Sequence, residues 1–254
     1  MLAENRREQL RNIIRQRKFV SLPQLASALS VSESTVRRDL EKLRQSGEIL
    51  RTHGGAFTTN SDDVSFPFFE SNLSKNAAEK KKIAQKAAGL IESGQSILLD
   101  GGTTTYLLAQ ELIGRQLSVV TGSLPIIDLL SQDVTCDLIV IGGNLCRRTG
   151  VCQGPVADRM LNQIHVHKAI MSVAAVSDSG FYNHNLLLVE TERAIMRSAD
   201  QVIIIVDSSK FGQQSLAHVC PLDQVQYIVT DNRLSNEWRK KIGAAGVKLI
   251  IADE

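Results

Sequence analysis

The chain has 254 residues, 43% apolar and 22% charged, enough for a small and a medium domain with a sizeable core. It contains no run of about 18 uncharged apolar residues, and charges run through the leading MLAENRREQLRNIIRQRK, so neither a transmembrane helix nor a secretory signal is expected. The net charge of +2 is unevenly divided: residues 1–57 hold 11 Lys/Arg against 6 Asp/Glu, and residues 58–254 hold 18 against 21, so a basic head that suits a polyanion precedes a mildly acidic body.

In the head, Leu10, Ile13 and Ile14 mark one face of a first helix. Leu22, Leu25 and Leu29 mark a short second helix, with Pro23 tolerated in its first turn. Ser30-Val31-Ser32 makes a tight break. Ser32 then caps a third helix, and Glu33 lies in the first turn, where the dipole favours negative charge. Val36, Leu40 and Leu43 share one face of that helix. Ser34, Arg38, Glu41 and Gln45 fall opposite, with Arg37 on the flank, and Gly47 ends the helix.

Two short helices joined by a tight turn form the helix-turn-helix pattern, whose second helix enters the DNA major groove. Arg can donate two bonds to guanine, and Ser or Thr can bond bases or phosphates. Ser32, Ser34, Thr35, Arg37, Arg38 and Glu41 are therefore the candidate DNA-contacting residues. EILRTHGGAF follows as a β-wing: Ile49 and Leu50, then a turn at Gly54-Gly55, with Arg51 and His53 placed to touch phosphate. Residues 1–57 read as a winged helix-turn-helix DNA-binding domain. Residues 58–70 read as a join that starts polar and then anchors Val64, Phe66, Phe68 and Phe69 on the body.

In the body, 71–254, a helix starts at EKKKIA, residues 79–84. Short apolar runs then recur at Ile97–Leu99, Ser118–Val120, Leu138–Ile141, Ala169–Val173, Val202–Val206, Tyr227–Val229 and Lys248–Ile251, with helical patterns at 104–113, 187–199 and 235–245. Such alternation predicts a mostly parallel α/β sheet covered on both faces, with ligands gathering beyond the carboxyl ends of the strands.

Polar residues follow these runs: Asp100-Gly101-Gly102-Thr103-Thr104-Thr105, Thr121-Gly122-Ser123, Gly142-Gly143, Ser177-Asp178, Asp207-Ser208-Ser209-Lys210 and Asp231. DGGTTT opening a helix suits a small phosphorylated molecule, since glycine allows close backbone approach and the helix start favours an anion. It is neither a dinucleotide nor an ATP loop. Asp207 can accept bonds from sugar hydroxyls, Lys210 offers a cation, and Lys80 or Lys82 can reach toward the anion.

Cys136, Cys146, Cys152 and Cys220 form no CxxC pair. No zinc site, disulfide framework or cofactor is expected, and a cytoplasmic location fits. The five histidines show no triad or metal spacing. An isomerase-like enzyme would need a carboxylate base, for which Asp178 and Glu190 are candidates. A body that only oligomerises is a further alternative.

The run SLPQLASALSVSESTVRRDLEKLRQSGEILRTHGGA resembles the head of the DeoR family, bacterial repressors of sugar-utilisation genes. EKKKIAQKAA, LLDGGTTT, VVTGSLPI, LIVIGGNL, DSSKFG and IVTD extend the resemblance over nearly the whole chain. It implies a winged head that binds operator DNA, and a body that resembles ribose-5-phosphate isomerase in fold and takes a phosphorylated sugar. By the resemblance Asp100 to Thr105 hold phosphate, and Lys80, Asp207 and Lys210 serve the inducer response. Four positions depart from the pattern: Glu70-Ser71-Asn72 where an arginine is frequent, Gly122 where asparagine is usual, Glu192 where a lysine often stands, and Ile170–Ser172 in place of an aromatic-glycine pair. The whole reading is a homo-oligomeric repressor, dimer or tetramer, with no membrane partner, two heads on repeated half-sites, and DNA affinity set by the bound effector.

Overall fold

The computed structural model describes residues 6–10, 13–14, 19–45, 49–52, 55–58 and 66–252. Contacts divide the chain into two units, Met1–Lys75 and Asn76–Glu254.

In the first unit, helical residues at 6–10 and 13–14 precede strand β1 (Phe19–Ser21), helix α1 (Leu22–Leu29), helix α2 (Glu33–Gln45) and the hairpin β2 (Ile49–Thr52)–β3 (Gly55–Thr58). Ser21 and Gln24 close a capping box at the start of α1, with proline in its first turn, and Ser30 ends it in the left-handed region at φ 53°. Leu10, Ile14, Val20, Leu22, Leu25, Leu29, Val36, Leu40 and Leu43 form one core, so the apolar stripes read from spacing all meet. The sheet order is β1-β3-β2, antiparallel, with Arg51 opposite Ala56 and Thr52 opposite Gly55. β1 carried no sequence signal, and Gly55, expected in the turn, begins β3. Helix α3 (Pro67–Leu73) packs on β1 and β2, and Phe66 and Phe69 are buried. The aromatic end of the join therefore belongs to the head, where the sequence reading had anchored it on the body. Short apolar clusters do not announce their partner.

The second unit opens with α4 (Ala77–Ala88). Seven strands make one sheet: β4 (Ser96–Leu99), β5 (Leu117–Thr121), β6 (Cys136–Val140), β9 (Val166–Met171), β12 (Ala199–Ile205), β14 (Tyr227–Asp231) and β15 (Lys248–Ala252). Their order is β15-β14-β12-β9-β4-β5-β6, and every pairing is parallel. All seven apolar runs are strands of this sheet, because a parallel strand buried on both faces needs a continuous apolar stretch.

The covering helices are α5 (Thr103–Leu112), α6 (Leu124–Leu130), α7 (Pro155–Leu161), α8 (Leu186–Arg197) and α9 (Asn236–Ala244). Two buried clusters line the two faces, one around Leu98, Val120, Ala169 and Ile204, the other around Ile97, Leu99, Val119 and Ile203. Two additions were not read from the sequence: the hairpin β7 (Asn144–Cys146)–β8 (Val151–Gln153), and a small antiparallel sheet of β10 (Ala175–Ser177), β11 (Gly180–Asn183) and β13 (Ala217–Cys220). Among the described residues no helix is long and apolar enough to cross a membrane.

Candidate functional site

In the head, burial of Val36, Leu40 and Leu43 turns Ser34, Arg37, Arg38 and Lys42 outward, while Thr35 and Glu41 are half-buried. Ser32 caps the helix: its Oγ accepts the Thr35 N–H at 3.3 Å and lies 2.9 and 3.0 Å from the Ser34 and Thr35 hydroxyls. Arg37 faces Glu33 at 3.9 Å, a half-exposed surface pair of little energetic weight. Arg38 has no ion pair among the described residues. Asp39 is buried and accepts a bond from Arg6 Nε at 2.6 Å, which clamps the first helical segment to α2. Lys42, one turn beyond Arg38, joins the exposed face; the sequence reading omitted it although its i+4 spacing was the signal. The backbone of Arg51 lies in β2, but its side chain and the whole of His53 fall outside the described residues.

In the second unit the sheet order reverses between β4 and β9. That switch point opens a crevice at the carboxyl ends of the strands. Asp100, following β4, spans it. Its Oδ2 accepts the Ser172 backbone N–H at 2.7 Å and the Ser172 hydroxyl at 3.3 Å, and its Oδ1 accepts the Gly102 N–H at 2.9 Å and the Thr105 hydroxyl at 2.6 Å. Burial pushes the Asp100 carboxyl up, against the pull of those bonds. The two glycines are required by close approach: a Cβ on Gly101 would lie 2.0 Å from Val151 Cγ2, and one on Gly102 would lie 1.6 Å from Ser172 Oγ. Thr104 and Thr105 are buried, and Thr103 is half-buried at the head of α5.

The other rim residues lie at neighbouring strand ends. The Thr121 hydroxyl donates to the Leu99 carbonyl at 2.8 Å and accepts from the Ser123 N–H at 3.1 Å. Gly142 and Gly143 follow β6, and Gly143 sits at φ 146°. Asp207, following β12, accepts from the Asn76 side chain at 3.0 Å and from the Ser209 hydroxyl, which ties this turn to the start of α4. Lys80 is buried on α4, and Lys210 ends the 3-10 turn that follows Asp207. Asp231 accepts from the Ser208 N–H at 2.7 Å and hydroxyl at 2.8 Å.

One expected rim pair is elsewhere. Ser177 and Asp178 end β10 and begin the turn into β11, and Asp178 is exposed and bonded to Lys241 at 2.7 Å. Ser172 takes their place after β9, since that strand ends at Met171. Glu190, the other candidate base, is an exposed partner of Arg193 at 2.7 Å. Asn76 and Ser172 are the rim residues that sequence reasoning missed, since each reaches its partner, Asp207 or Asp100, only through the fold. A cleft of about 600 Å³ opens instead beside Ala199, Val202 and Gln226, toward the amino ends of the strands. The Arg193 guanidinium that lines it is already spent on the carbonyls of Val219 and His218.

The chain matches two family models, the DeoR-like helix-turn-helix domain over residues 6–62 and the DeoR C terminal sensor domain over residues 75–232. It is 32% identical to the HTH-type transcriptional regulator YulB of Bacillus subtilis (strain 168), over 98% of this chain and 96% of that one. It is 32% identical to the lactose phosphotransferase system repressor of Streptococcus mutans serotype c, over 94% and 96%. Among solved structures, ribose 5-phosphate isomerase A of Methanocaldococcus jannaschii is 19% identical with a TM-score of 0.40, over 54% of this chain and 55% of that one.

Proposed function

The chain belongs to the DeoR family of DNA-binding transcriptional regulators, and we propose that it is a repressor of a sugar-utilisation operon whose operator affinity is set by a phosphorylated sugar. Residues 1–57 carry the DNA-binding surface, α3 completes that unit up to Lys75, and residues 76–254 are the sensor. The observation that carries the reading is one chain holding both an outward basic helix face, Ser34 to Lys42, and a crevice of polar groups at the switch point of a parallel sheet. Ser34, Thr35, Arg37, Arg38 and Glu41 meet the major groove, Ser32 holds the helix start, and Arg51 and His53 meet phosphates. Asp100 to Thr105, Thr121, Gly142, Gly143, Lys80, Asp207 and Lys210 surround the effector.

No enzymatic step is assigned. Asp178 and Glu190 are held in surface ion pairs. Asp100 and Asp207 are each surrounded by hydrogen-bond donors rather than poised as bases. The effector binds one arrangement of a dimer or tetramer better than another and shifts the population toward release of DNA. The test is a gel shift on operator DNA with a panel of phosphorylated sugars and their unphosphorylated counterparts. At least one phosphorylated sugar should displace the protein; a complex indifferent to the whole panel overturns the reading.

A further inference from the structure

The seven-stranded sheet ends on two edge strands, β15 and β6, and the two are finished differently. A free edge offers a row of backbone N–H and C=O groups to any strand that reaches it, so an edge not meant for pairing carries lysine, proline or a cover. β15 opens on exposed Lys248, and none of its apolar side chains is exposed. β6 reads Cys136-Asp137-Leu138-Ile139-Val140 and runs on into Ile141-Gly142, with no lysine, arginine or proline. Ile139 is 41% exposed and Val140 46%.

Register decides which groups point outward. The Ile141 N–H donates to the Thr121 carbonyl at 2.9 Å, and β6 runs parallel to β5 with Leu138 opposite Val119. Backbone groups alternate in direction along a strand. Asp137, Ile139 and Ile141 therefore point theirs at β5. Leu138 and Val140 point theirs at the free edge, where no partner meets them among the described residues. The side chains divide between the two apolar layers. Leu138 packs on the cluster of Ile97, Leu99 and Val119, while Ile141, on the same face as Ile139, belongs to that of Leu98 and Val120.

We infer that β6 is the interface between two copies of this chain, paired antiparallel about a two-fold axis through Ile139. Only an extended backbone satisfies an open row of this kind, and the strand fits its own copy. With the axis at Ile139, Leu138 of each copy lies opposite Val140 of the other, and these outward-pointing residues exchange both hydrogen bonds. Ile139 meets its own copy as the adjoining non-hydrogen-bonded pair, and each apolar layer is continued by the same layer of the second copy. No charged residue lies between Leu138 and Cys146, so no like charges meet at the axis. The crossing carries Asp137 of each copy toward the end of the other strand that leads into the β7–β8 hairpin, where Arg147 is exposed. The choice of a second copy over another extended chain rests also on the reading of paired heads on repeated half-sites.

Sedimentation equilibrium of the full chain tests the interface, and the parent should be a dimer or a multiple of one. Val140→Lys puts a charge on the edge, and Val140→Pro removes an N–H that the sheet itself does not use. Each should raise the dissociation constant of the dimer about tenfold or more, with the circular dichroism of the parent. Leu216→Lys, a like change at an exposed apolar residue before β13, should leave association unaltered. Ile139→Cys gives a readout that needs no loss of binding. Its Cα should lie about 4.5 Å from that of its copy, within the roughly 4.4–6.8 Å that a disulfide spans. Mild oxidation should then give a covalent dimer, whereas in the parent Cys136 falls opposite Gly142 and none should form. The interface is overturned by a monomeric parent, by variants at 140 that associate as the parent does, or by no more covalent dimer from Ile139→Cys than from the parent. A dimer weakened by both changes at 140, with operator binding unaltered, keeps the interface and removes the reading of paired heads. A dimer that neither change weakens, on an operator that still needs two half-sites, does the reverse.

Discussion

Arg38 is the residue on which DNA recognition is most directly tested. It is exposed on α2, one turn from Ser34 and Lys42, and no acid holds it among the described residues. Arg38→Ala should cost about 1–3 kcal/mol of operator binding and relax specificity at one base pair; a gel shift with matched and substituted operators measures both. Glu192 presents a different problem. It is 2% exposed, its Oε1 accepts one bond from Asn183 Nδ2 at 2.5 Å, and its Oε2 has no partner. Burial first, and the neighbouring Asp100 second, push its carboxyl well above the ordinary value, and the same surroundings push the Cys220 thiol up to about 12. Above the ordinary carboxyl range the folded state therefore holds a proton at Glu192 that the unfolded state has released. Stability from this group is full below the ordinary carboxyl range and is lost as pH rises toward the raised folded value. Glu192→Gln should thus stabilise the protein at pH values above the ordinary carboxyl range, by more the further the pH lies above it. The gain should shrink toward zero near pH 4.5, and thermal unfolding of both proteins across that window checks the sign.

At the scale of elements, the contact between the 100–105 loop and the β7–β8 hairpin decides the shape of the crevice. Gly101→Ala would drive a methyl group into Val151, lifting the hairpin from the loop. The expected cost is roughly 1–3 kcal/mol, read from the urea midpoint, with a weaker response to effector. This contact illustrates what was legible. The loop, its glycines and its place before a helix could be read, because a continuous apolar run followed by DGGTTT has few structural meanings. That Val151 is the reason for Gly101 could not be read, since the two meet through a long-range fold. The strands of the hairpin and of the β10-β11-β13 sheet are only three or four residues long, too short for a periodic signal. Helices α6 and α7 were missed for a similar reason, each having seven residues.

For the whole molecule, the electrostatic division is the governing fact: the head is +5 and the body −3 by residue count. Operator binding should weaken steeply with salt, with a slope near −0.9 per phosphate neutralised. A gel-shift series from low to physiological salt measures that slope, and a flat dependence would remove the charged face of α2 from the interface. The protein should also travel as a dimer or larger species by light scattering, since two heads are needed to read repeated half-sites.

The sequence by itself determined the helix-turn-helix, the seven parallel strands and the family, because each rests on local periodicity or on short motifs whose spacing survives without knowledge of contacts. Only the tertiary structure decided that α3 joins the head, that Asp178 and Glu190 sit in surface ion pairs, and that Ser172 completes the crevice with Asp100. Local chemistry names the residues able to hold an anion; the crossing of the sheet at its switch point selects which of them converge.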